Sequence, residues 1–278
     1  MKIGTLFSKS ALAALVLALA PALAQAGVID DIKKRGEMVI GMEVAYQPYE
    51  YFKDGQIVGY DVDIANIFAQ KLGVKVKFLD TEWNGVIASL IAKKFDAILS
   101  GMTITSERAQ KLNFAMPYAE ATNVVLVRLD DPSIKTAEDI AGKKVGSQLA
   151  SAGDKVAKEF EAVLKAKGKP GYTDYKLYEH YPEAYIDLTN KRIDAVVGSL
   201  STLKILIKEQ PGKYRTVDGI QDLKAYFGMA FRKDDTDFLK FANEQFAALK
   251  KSGELDKLQV KWFGSPMPTP DAVPEKLP

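Results

Sequence analysis

The sequence predicts an α/β fold built from two similar lobes. Residues 84–99 combine apolar positions at helical spacing with a short continuous apolar run, which is the pattern of a helix followed by a buried strand. Residues 94–101 (KFDAILSG) have a counterpart in residues 192–199 (RIDAVVGS), since both place Asp-Ala and an apolar pair before a small polar turn. This similarity indicates one α/β lobe plan used twice, with two strand ends that face each other across a cleft.

The remaining elements are predicted from the same kinds of pattern. We expect Asn84 to cap a helix that carries Val86, Ile87, Leu90 and Ile91 on one buried face. The other predicted helices are residues 29–34, residues 61–72 ended by Gly73, a capping box at residues 136–139 and a helix that follows Ser151. The predicted strands are residues 38–41, 74–78, 95–99, 123–129, one from residue 143, and a return strand at 225–231.

The first 26 residues have the features of a secretory signal. They contain Lys2 and Lys9, an apolar run over residues 11–20 and the tripeptide Ala-Gln-Ala at residues 24–26. The apolar run is shorter than the ~20 residues that a membrane-spanning helix needs. The chain contains no cysteine, so a lipid anchor on an N-terminal cysteine is excluded. We therefore expect an exported, soluble mature protein.

Composition excludes several classes of function. Of the 38 basic residues, two lie in the predicted signal, so 36 basic residues face 36 acidic ones in the mature chain, and this balance predicts no nucleic-acid partner. The absence of cysteine excludes disulfides and thiolate chemistry, and His180 is the only histidine. A Ser-His-Asp mechanism and histidine-rich metal sites are therefore not expected, and we predict no metal and no cofactor.

The loop after the strand at residues 95–99 is the first candidate for a binding site. In an open α/β sheet, ligands lie outside the carboxyl ends of the strands. Thr103 and Arg108 follow this strand end, and a guanidinium offers a two-pronged donor to a planar anion such as a carboxylate. The alternative is that Arg108 is simply a solvated helix residue.

Several motifs in the right order resemble one family. These are residues 59–65 (GYDVDIA), 83–85 (WNG), 95–98 (FDAI), 103–108 (TITSER) and 114–118 (FAMPY). Together they resemble the periplasmic amino-acid-binding proteins of ABC importers, solute-binding protein family 3, over residues 29–264. The resemblance implies a two-lobed periplasmic-binding-protein fold of type II, in which each lobe is a mixed sheet flanked by helices and the ligand cleft lies between the lobes.

The resemblance also implies how the chain is divided. Residues 27–120 form the first segment of lobe 1, residues 121–222 form lobe 2, and residues 223–278 return to lobe 1 and end in a tail. The proline-rich tail from Ser265 is expected to be loosely held.

Binding residues follow from the resemblance together with strand and helix ends. Tyr46 is implied as an aromatic wall opposite Trp83, and Glu43 as the position where side-chain selectivity is set, although both aromatic residues alternatively pack only the core. Ser151 and the amide of Ala152 lie at a helix N-terminus, which binds anions; Ser151 alternatively only caps that helix, and both roles are compatible. The expected ligand-binding set is Glu43, Tyr46, Trp83, Gly101, Thr103, Arg108, Ser151, Ala152 and Ser199.

The chain departs from the family pattern in the second lobe. Family members that bind α-amino acids usually have an acidic residue where this chain has Ser199, and a Gly-Thr pair where it has Ala150-Ser151. A buried ammonium without a partner is costly. Either another acid takes over, with Glu43, Glu183 and Asp187 as candidates, or the ligand carries no α-ammonium in the usual place.

The predicted function is therefore that of a periplasmic solute-binding protein. It captures an amino acid or a related small carboxylated solute, closes its two lobes, acts as a monomer and delivers the solute to an ABC permease in the inner membrane. One alternative is an enzyme similar to the periplasmic cyclohexadienyl dehydratases. Another is a ligand-binding receptor for a membrane sensor, which the sequence does not separate from transport.

Overall fold

The computed structural model describes residues 27–278, and the predicted signal peptide at residues 1–26 lies outside the described residues. The helices are α1 Val28–Arg35, α2 Tyr60–Leu72, α3 Val86–Ile91, α4 Ser106–Lys111, α5 Ala152–Ala166, α6 Tyr181–Thr189, α7 Leu200–Glu209, α8 Thr236–Ser252 and α9 Glu254–Phe263. None of the helices in this described part combines the length and the hydropathy needed to cross a membrane.

The strands fall into two main sheets and two small ones. They are β1 Glu37–Met42, β2 Ala45–Tyr46, β3 Glu50–Lys53, β4 Gln56–Val58, β5 Lys75–Asp80, β6 Ala97–Ile98, β7 Asn113–Phe114, β8 Ala119–Glu120, β9 Asn123–Arg128, β10 Lys144–Gln148, β11 Asp174–Tyr178, β12 Ala195–Ser199, β13 Tyr214–Val217, β14 Tyr226–Phe227 and β15 Ala230–Phe231.

Each lobe contains one mixed five-stranded sheet. The first has the order β5-β1-β6-β15-β7 and the second the order β11-β10-β12-β9-β13. The central strands β6 and β12 are equivalent, since each pairs in parallel with one neighbour and antiparallel with the other. The predicted two-lobed α/β architecture is confirmed, and the similar sequences around residues 97 and 195 occupy matching positions. The exact lobe boundaries at residues 120 and 222 remain our prediction.

Helix α2 shows how the sequence forms an element of the first lobe. Ile64, Phe68 and Leu72 recur at helical spacing and are buried against the core. Burying a side chain such as that of Phe68 contributes about 1.5–3 kcal/mol. The helix ends at Gly73, which is left-handed with φ 73° and donates its N–H to the carbonyl of Ala69, as predicted.

Four details differ from expectation. Asn84 lies inside a 3₁₀ turn, Trp83–Gly85, so it caps nothing and α3 begins at Val86. Ile91 was predicted to be buried but is 55% exposed. Among the apolar residues of this short helix, only Val86 and Leu90 are buried. The strand predicted at residues 95–99 is restricted to Ala97–Ile98. The return strand is divided, since β14 pairs with β8 whereas β15 joins the first main sheet.

The tail after residue 264 is held rather than loose. Lys250 Nζ donates to the carbonyls of Thr269 (3.1 Å) and Pro270 (2.7 Å). Val273 and Leu277 pack against the apolar cluster that contains Trp83. Composition alone did not reveal these contacts, because they depend on surfaces formed by distant parts of the chain.

Candidate ligand-binding site

A cavity lies between the two sheets, at the ends of the strands that the sequence singled out. The space between its lining atoms is about 330 Å³ when its opening to solvent is included, and it is lined by residues of both lobes. The strands β1, β10 and β12 end at Met42, Gln148 and Ser199, and the residues at or after these ends form much of its wall. This is the position expected of a ligand site in an open α/β sheet.

Most of the predicted residues meet at this cavity. Eight of the nine line it: Glu43, Tyr46, Trp83, Gly101, Thr103, Ser151, Ala152 and Ser199. Arg108 does not line the cavity itself but lies directly behind this wall, where it contacts Thr103 and Trp83. The other lining residues were not predicted: Asn123, Gln148, Gly153, Tyr181 and Phe227. That these residues bind a solute remains a prediction.

Arg108 is a buried cation, and the solvated alternative is wrong. Helix α4 begins after Thr105, whose Oγ1 accepts from the backbone N–H of Arg108 (3.2 Å), and the Arg108 side chain is buried. Its Nη1 donates to the carbonyl of Thr103 (3.0 Å) and its Nη2 to the carbonyl of Ala150 in the second lobe (3.1 Å). Burial lowers the pKa of Arg108 to about 10, so the guanidinium stays charged at neutral pH.

The buried positive charge of Arg108 is not balanced by a neighbouring acidic side chain within the described residues. Within residues 27–278, none of the ion pairs includes this arginine, and its partners are two carbonyl oxygens. The guanidinium carbon lies 5.2 Å from the centre of the Trp83 ring, close enough for a cation–π contact. A buried charge satisfied only by neutral acceptors is a ready partner for an anion.

Ser151 caps helix α5 and also reaches the cavity. Its Oγ accepts from the N–H of Asp154 (3.0 Å) and lies 3.2 Å from the hydroxyl of Tyr181. The first N–H groups of an α-helix have no intrahelical acceptor, so those of α5 are directed toward the loop end that forms the cavity wall. A Cβ at Gly153 would lie 2.6 Å from the carbonyl oxygen of Val197, so only glycine fits there.

Glu43 is the one acidic residue among the residues that line the cavity. It is 3% exposed, and both of its carboxylate oxygens accept from Gln148 Nε2, at 2.7 and 2.8 Å. Its Oε1 lies 2.5 Å from Nδ1 of His180. Burial raises the pKa of Glu43, whereas the bonds from His180 and Gln148 oppose that rise.

The other two acidic candidates lie elsewhere. Glu183 is exposed on α6. Asp187 is buried but forms ion pairs with Lys176 (2.5 Å) and Arg192 (3.0 Å), which hold its pKa below the usual range, at about 2. Neither residue lines the cavity, so Glu43 alone is placed to meet a ligand cation there.

The end of β12 is neutral, as the sequence indicated. Ser199 Oγ lies 3.0 Å from Ser201 Oγ, and Ser199 faces Asn123 across the antiparallel ladder. Asn123 Nδ2 donates to Gln221 Oε1 (2.9 Å). A hydroxyl and an amide, neither of them charged, therefore occupy this end of the strand.

Aromatic side chains close the remaining walls. The ring of Tyr46 lies 6.0 Å from that of Tyr181 and 6.3 Å from that of Phe227. Trp83 donates its Nε1 hydrogen to the carbonyl of Ala150 across the cleft (3.2 Å). Tyr46 and Trp83 are thus buried and also line the cavity, and their contact with a solute remains a prediction.

A buried pair of carboxyl groups supports the first-lobe side of the site. Ser100 Oγ donates to Glu50 Oε1 (2.6 Å) and accepts from the N–H of Glu43 (3.0 Å). The N–H of Gly101 donates to Asp61 Oδ2 (2.8 Å). Gly101 is left-handed, with φ 51°, and a Cβ there would lie 2.6 Å from the ring of Tyr46. The pair was not predicted as part of the site.

The two lobes touch around the cavity, which describes a closed arrangement. Besides the contacts of Glu43, Trp83 and Arg108, the hydroxyl of Tyr49 lies 2.8 Å from Ser201 Oγ. Within residues 27–278, no cluster of three or more His, Asp or Glu side chains is arranged to hold a metal ion.

Comparison with known proteins agrees with this geometry. Residues 38–265 match the family described as bacterial extracellular solute-binding proteins, family 3. The chain is 33% identical over 245 residues to the L-cystine-binding protein TcyJ of Escherichia coli (strain K12), covering 87% of this chain and 88% of that protein. It is 34% identical over 235 residues to an L-arginine-binding protein of Pseudomonas aeruginosa, covering 81% and 86%.

Solved structures with the same fold are also similar in sequence. A mutant of ArgBP from T. maritima superposes with a TM-score of 0.76 at 36% identity, covering 86% of this chain and 100% of that one. The ancestral amino acid-binding protein AncCDT-1, described as a precursor of cyclohexadienyl dehydratase, has the same TM-score and coverage at 35% identity.

Proposed function

Because the chain belongs to the bacterial extracellular solute-binding proteins of family 3, we propose that it captures an amino acid or a related carboxylated solute between its lobes. The relatives named above as cystine-binding and arginine-binding support an amino acid as the ligand class. The solute is then delivered to an ABC permease of the inner membrane. The signal-like residues 1–26 support export to the periplasm, where the protein acts as a monomer.

The observation that carries this proposal is the unpaired charge of Arg108. The guanidinium is buried, charged and satisfied only by the carbonyls of Thr103 and Ala150. A ligand carboxylate between Arg108 and the first N–H groups of α5 gains two charge-assisted hydrogen bonds from the arginine. It also gains the favourable field of the helix N-terminus. The carboxylate takes the place of the Ala150 carbonyl as the partner of Nη2.

Lobe closure couples binding to delivery. Trp83, Glu43 and Arg108 of the first lobe contact Ala150 and Gln148 of the second lobe. A ligand that touches both lobes favours the closed form over the open one in proportion to its differential affinity for the two states. The permease therefore meets a loaded protein in a distinct shape.

We propose a non-catalytic binding role rather than the enzymatic alternative. AncCDT-1, the neighbour named in connection with a dehydratase, is itself described as an amino acid-binding protein. Elimination requires a general acid or base within reach of the substrate. The one acidic residue on the cavity wall, Glu43, is already bonded to Gln148 and His180, and Ser199 supplies no carboxylate.

The test is a thermal-shift screen on protein that has been unfolded and refolded to remove bound solute. The panel contains the L-amino acids, L-cystine, amino-acid conjugates and carboxylates without an α-amine. A ligand at a hundredfold excess over its Kd stabilises the protein by about 2.7 kcal/mol, which is readily visible.

The pattern of hits is informative. Hits restricted to α-amino acids show that the α-ammonium is bound although Ser199 supplies no carboxylate, and hits restricted to amine-free or conjugated carboxylates are the outcome expected if Ser199 sets specificity. No shift with any member of the panel contradicts the proposal, and turnover of prephenate or arogenate restores the enzyme alternative.

A further inference from the structure

The only histidine of the chain lies at the cleft. His180 precedes helix α6 in the second lobe and is about one-third exposed. Its Nδ1 is 2.5 Å from Oε1 of Glu43, which belongs to the first lobe. The imidazole therefore joins the two lobes at the edge of the ligand cavity, and the resemblance to the family assigned it no role.

Glu43, the partner of His180, sets the charge of the cavity wall. Glu43 is the one acidic residue among the lining residues, and Gln148 and His180 occupy its carboxylate oxygens. The charge of Glu43 thus decides whether a cationic group is accepted in the cavity. A neutralising partner at this position changes the class of side chain that can be bound.

The short contact between Nδ1 of His180 and Oε1 of Glu43 favours one proton shared by the pair. Burial raises the pKa of Glu43, and the hydrogen bond that His180 donates to the Glu43 carboxylate raises the pKa of His180. Whichever of the two atoms carries the proton, the pair has no net charge. The other charged groups that face His180 are Glu82, 3.5 Å from Nε2 and 64% exposed, and Glu183 on its own helix. Both are exposed, so solvent screens their effect.

We infer that His180 is a specificity-determining residue, which cancels the one negative charge on the cavity wall and thereby selects solutes whose side chains are not cationic. This inference rests on the proposed function, because it takes an amino acid as the occupant of the cavity. A cationic side chain must either displace the imidazole from Glu43 or be buried beside a pair without net charge, and the second option leaves a buried charge unpaired.

The selection depends on pH in a defined direction. Loss of the shared proton leaves Glu43 charged and restores one negative charge to the wall. Because the pKa of His180 is raised, this occurs above the ordinary histidine value of about 6.5. Discrimination against cationic side chains therefore weakens as the pH rises.

Two ligands that differ mainly in side-chain charge provide the test. L-citrulline is nearly isosteric with L-arginine and uncharged at the end of its side chain. Their Kd values are measured by calorimetry at pH 6.5 and pH 8.5 for the wild type, for His180→Gln and for Lys208→Gln. The last variant removes a positive charge from an exposed position on α7 in the same lobe and is the matched control.

The wild type is expected to bind citrulline at least tenfold more tightly than arginine at pH 6.5. His180→Gln shifts the ratio of the two Kd values at least tenfold toward arginine, and Lys208→Gln leaves it unchanged. A wild type that prefers arginine, or a ratio that His180→Gln changes by less than threefold, overturns the inference. Failure of every amino acid to bind is a different result, since it removes the proposed function as well.

A second measurement does not depend on the two probes or on the folding of a variant. The single histidine is titrated by NMR in the wild type saturated with the amino acid that stabilises it most. The expected result is a pKa above the ordinary value of about 6.5. A pKa at or below that value overturns the inference.

Discussion

Asp96 of the first lobe and Asp194 of the second make the same pair of hydrogen bonds to the neighbouring parallel strand. The N–H of Asp96 donates to the carbonyl of Val39 (2.8 Å), and its Oδ2 accepts from the N–H of Val39 (2.7 Å). Asp194 does the same with Lys144, at 2.8 and 2.9 Å. In both lobes this aspartate fixes the start of the central strand that leads to the cavity.

An arginine at the end of another strand, or directly after it, reinforces the same point in each lobe. Arg232 Nη1 donates to the carbonyls of Leu90 and Phe95, at 3.0 and 2.8 Å. Arg128 Nη1 donates to the equivalent carbonyls of Leu188 and Ile193 at 3.1 and 2.8 Å. The duplicated lobe plan therefore extends to side-chain contacts that the similar sequence stretches do not contain.

Removal of these aspartates should destabilise the protein unequally. Asp96→Ala leaves the buried N–H of Val39 without an acceptor, which lowers the free energy of unfolding by about 1–3 kcal/mol. Asp194→Ala costs less, because Asp194 is half-exposed and water reaches Lys144. Denaturant unfolding measures both. The asparagine variants, which keep an acceptor oxygen, are the controls, and a larger loss for Asp194→Ala contradicts this account.

The buried carboxyl pair of Glu50 and Asp61 predicts an unusual pH dependence of stability. Burial raises the pKa of both groups, and each has one oxygen, Oε2 and Oδ1, without another hydrogen-bond partner. We expect a proton held between the two groups to satisfy these oxygens. Because the folded-state pKa values lie above the unfolded value of about 4, the folded protein binds more protons than the unfolded chain. The contribution of the pair is therefore complete below about pH 4 and is lost as the pH rises through the folded pKa values.

The variant Glu50→Gln keeps a hydrogen-bonding side chain but removes one of the two titratable carboxyl groups. Between pH 5 and pH 8 the free energy of unfolding should fall less for the variant than for the wild type, because one of the two carboxyl groups with a raised pKa is absent. Denaturant unfolding at the two pH values measures the difference. Glu244→Gln, at an exposed site on α8, should follow the wild type. Identical pH profiles for Glu50→Gln and the wild type would show that the pair holds no extra proton.

Trp83 should contribute to affinity through a contact between lobes. Trp83→Phe keeps a ring next to Arg108 but removes the Nε1 donor to the carbonyl of Ala150. A net loss of about 0.5–1.5 kcal/mol is expected, which weakens binding of the stabilising amino acid roughly 2- to 12-fold. Calorimetry measures this change in affinity. Trp83→Ala should weaken binding further because the cation–π contact is lost too. Equal affinities for the wild type and Trp83→Phe would exclude a role for this bond in closure.

Much of the fold could be predicted because strong local patterns agree with the tertiary structure. Helix α2 with its terminal Gly73, the capping box at Thr136 and the cap at Ser151 all appear as expected. The errors concern short elements. Helix α3 and strand β6 are so brief that neighbouring contacts, not residue pattern, set their ends. The held tail likewise depends on partners far away in sequence.

The residues of the site also differ in how well the sequence predicts them. Residues next to strand and helix ends, such as Thr103 and Ser151, could be predicted from position together with a family resemblance. Gln148 and Asn123 also lie at strand ends, so the same signal was present for them. Tyr181 begins α6 and Phe227 ends β14, but the sequence did not predict these element ends, and a buried aromatic residue in a sequence is indistinguishable from core packing. The pairing of His180 with Glu43 joins residues from different lobes, and only the assembled cleft reveals it.

The most direct test of the account is the affinity of Arg108→Ala for the amino acid that most stabilises the wild type. Truncating one partner of a buried charge pair costs about 2–5 kcal/mol, so we expect calorimetry to show a Kd raised roughly 30-fold or more. Lys111→Ala removes an exposed charge from the same helix and should bind like the wild type. Binding by Arg108→Ala within threefold of the wild type would contradict the claim that this arginine holds the ligand carboxylate.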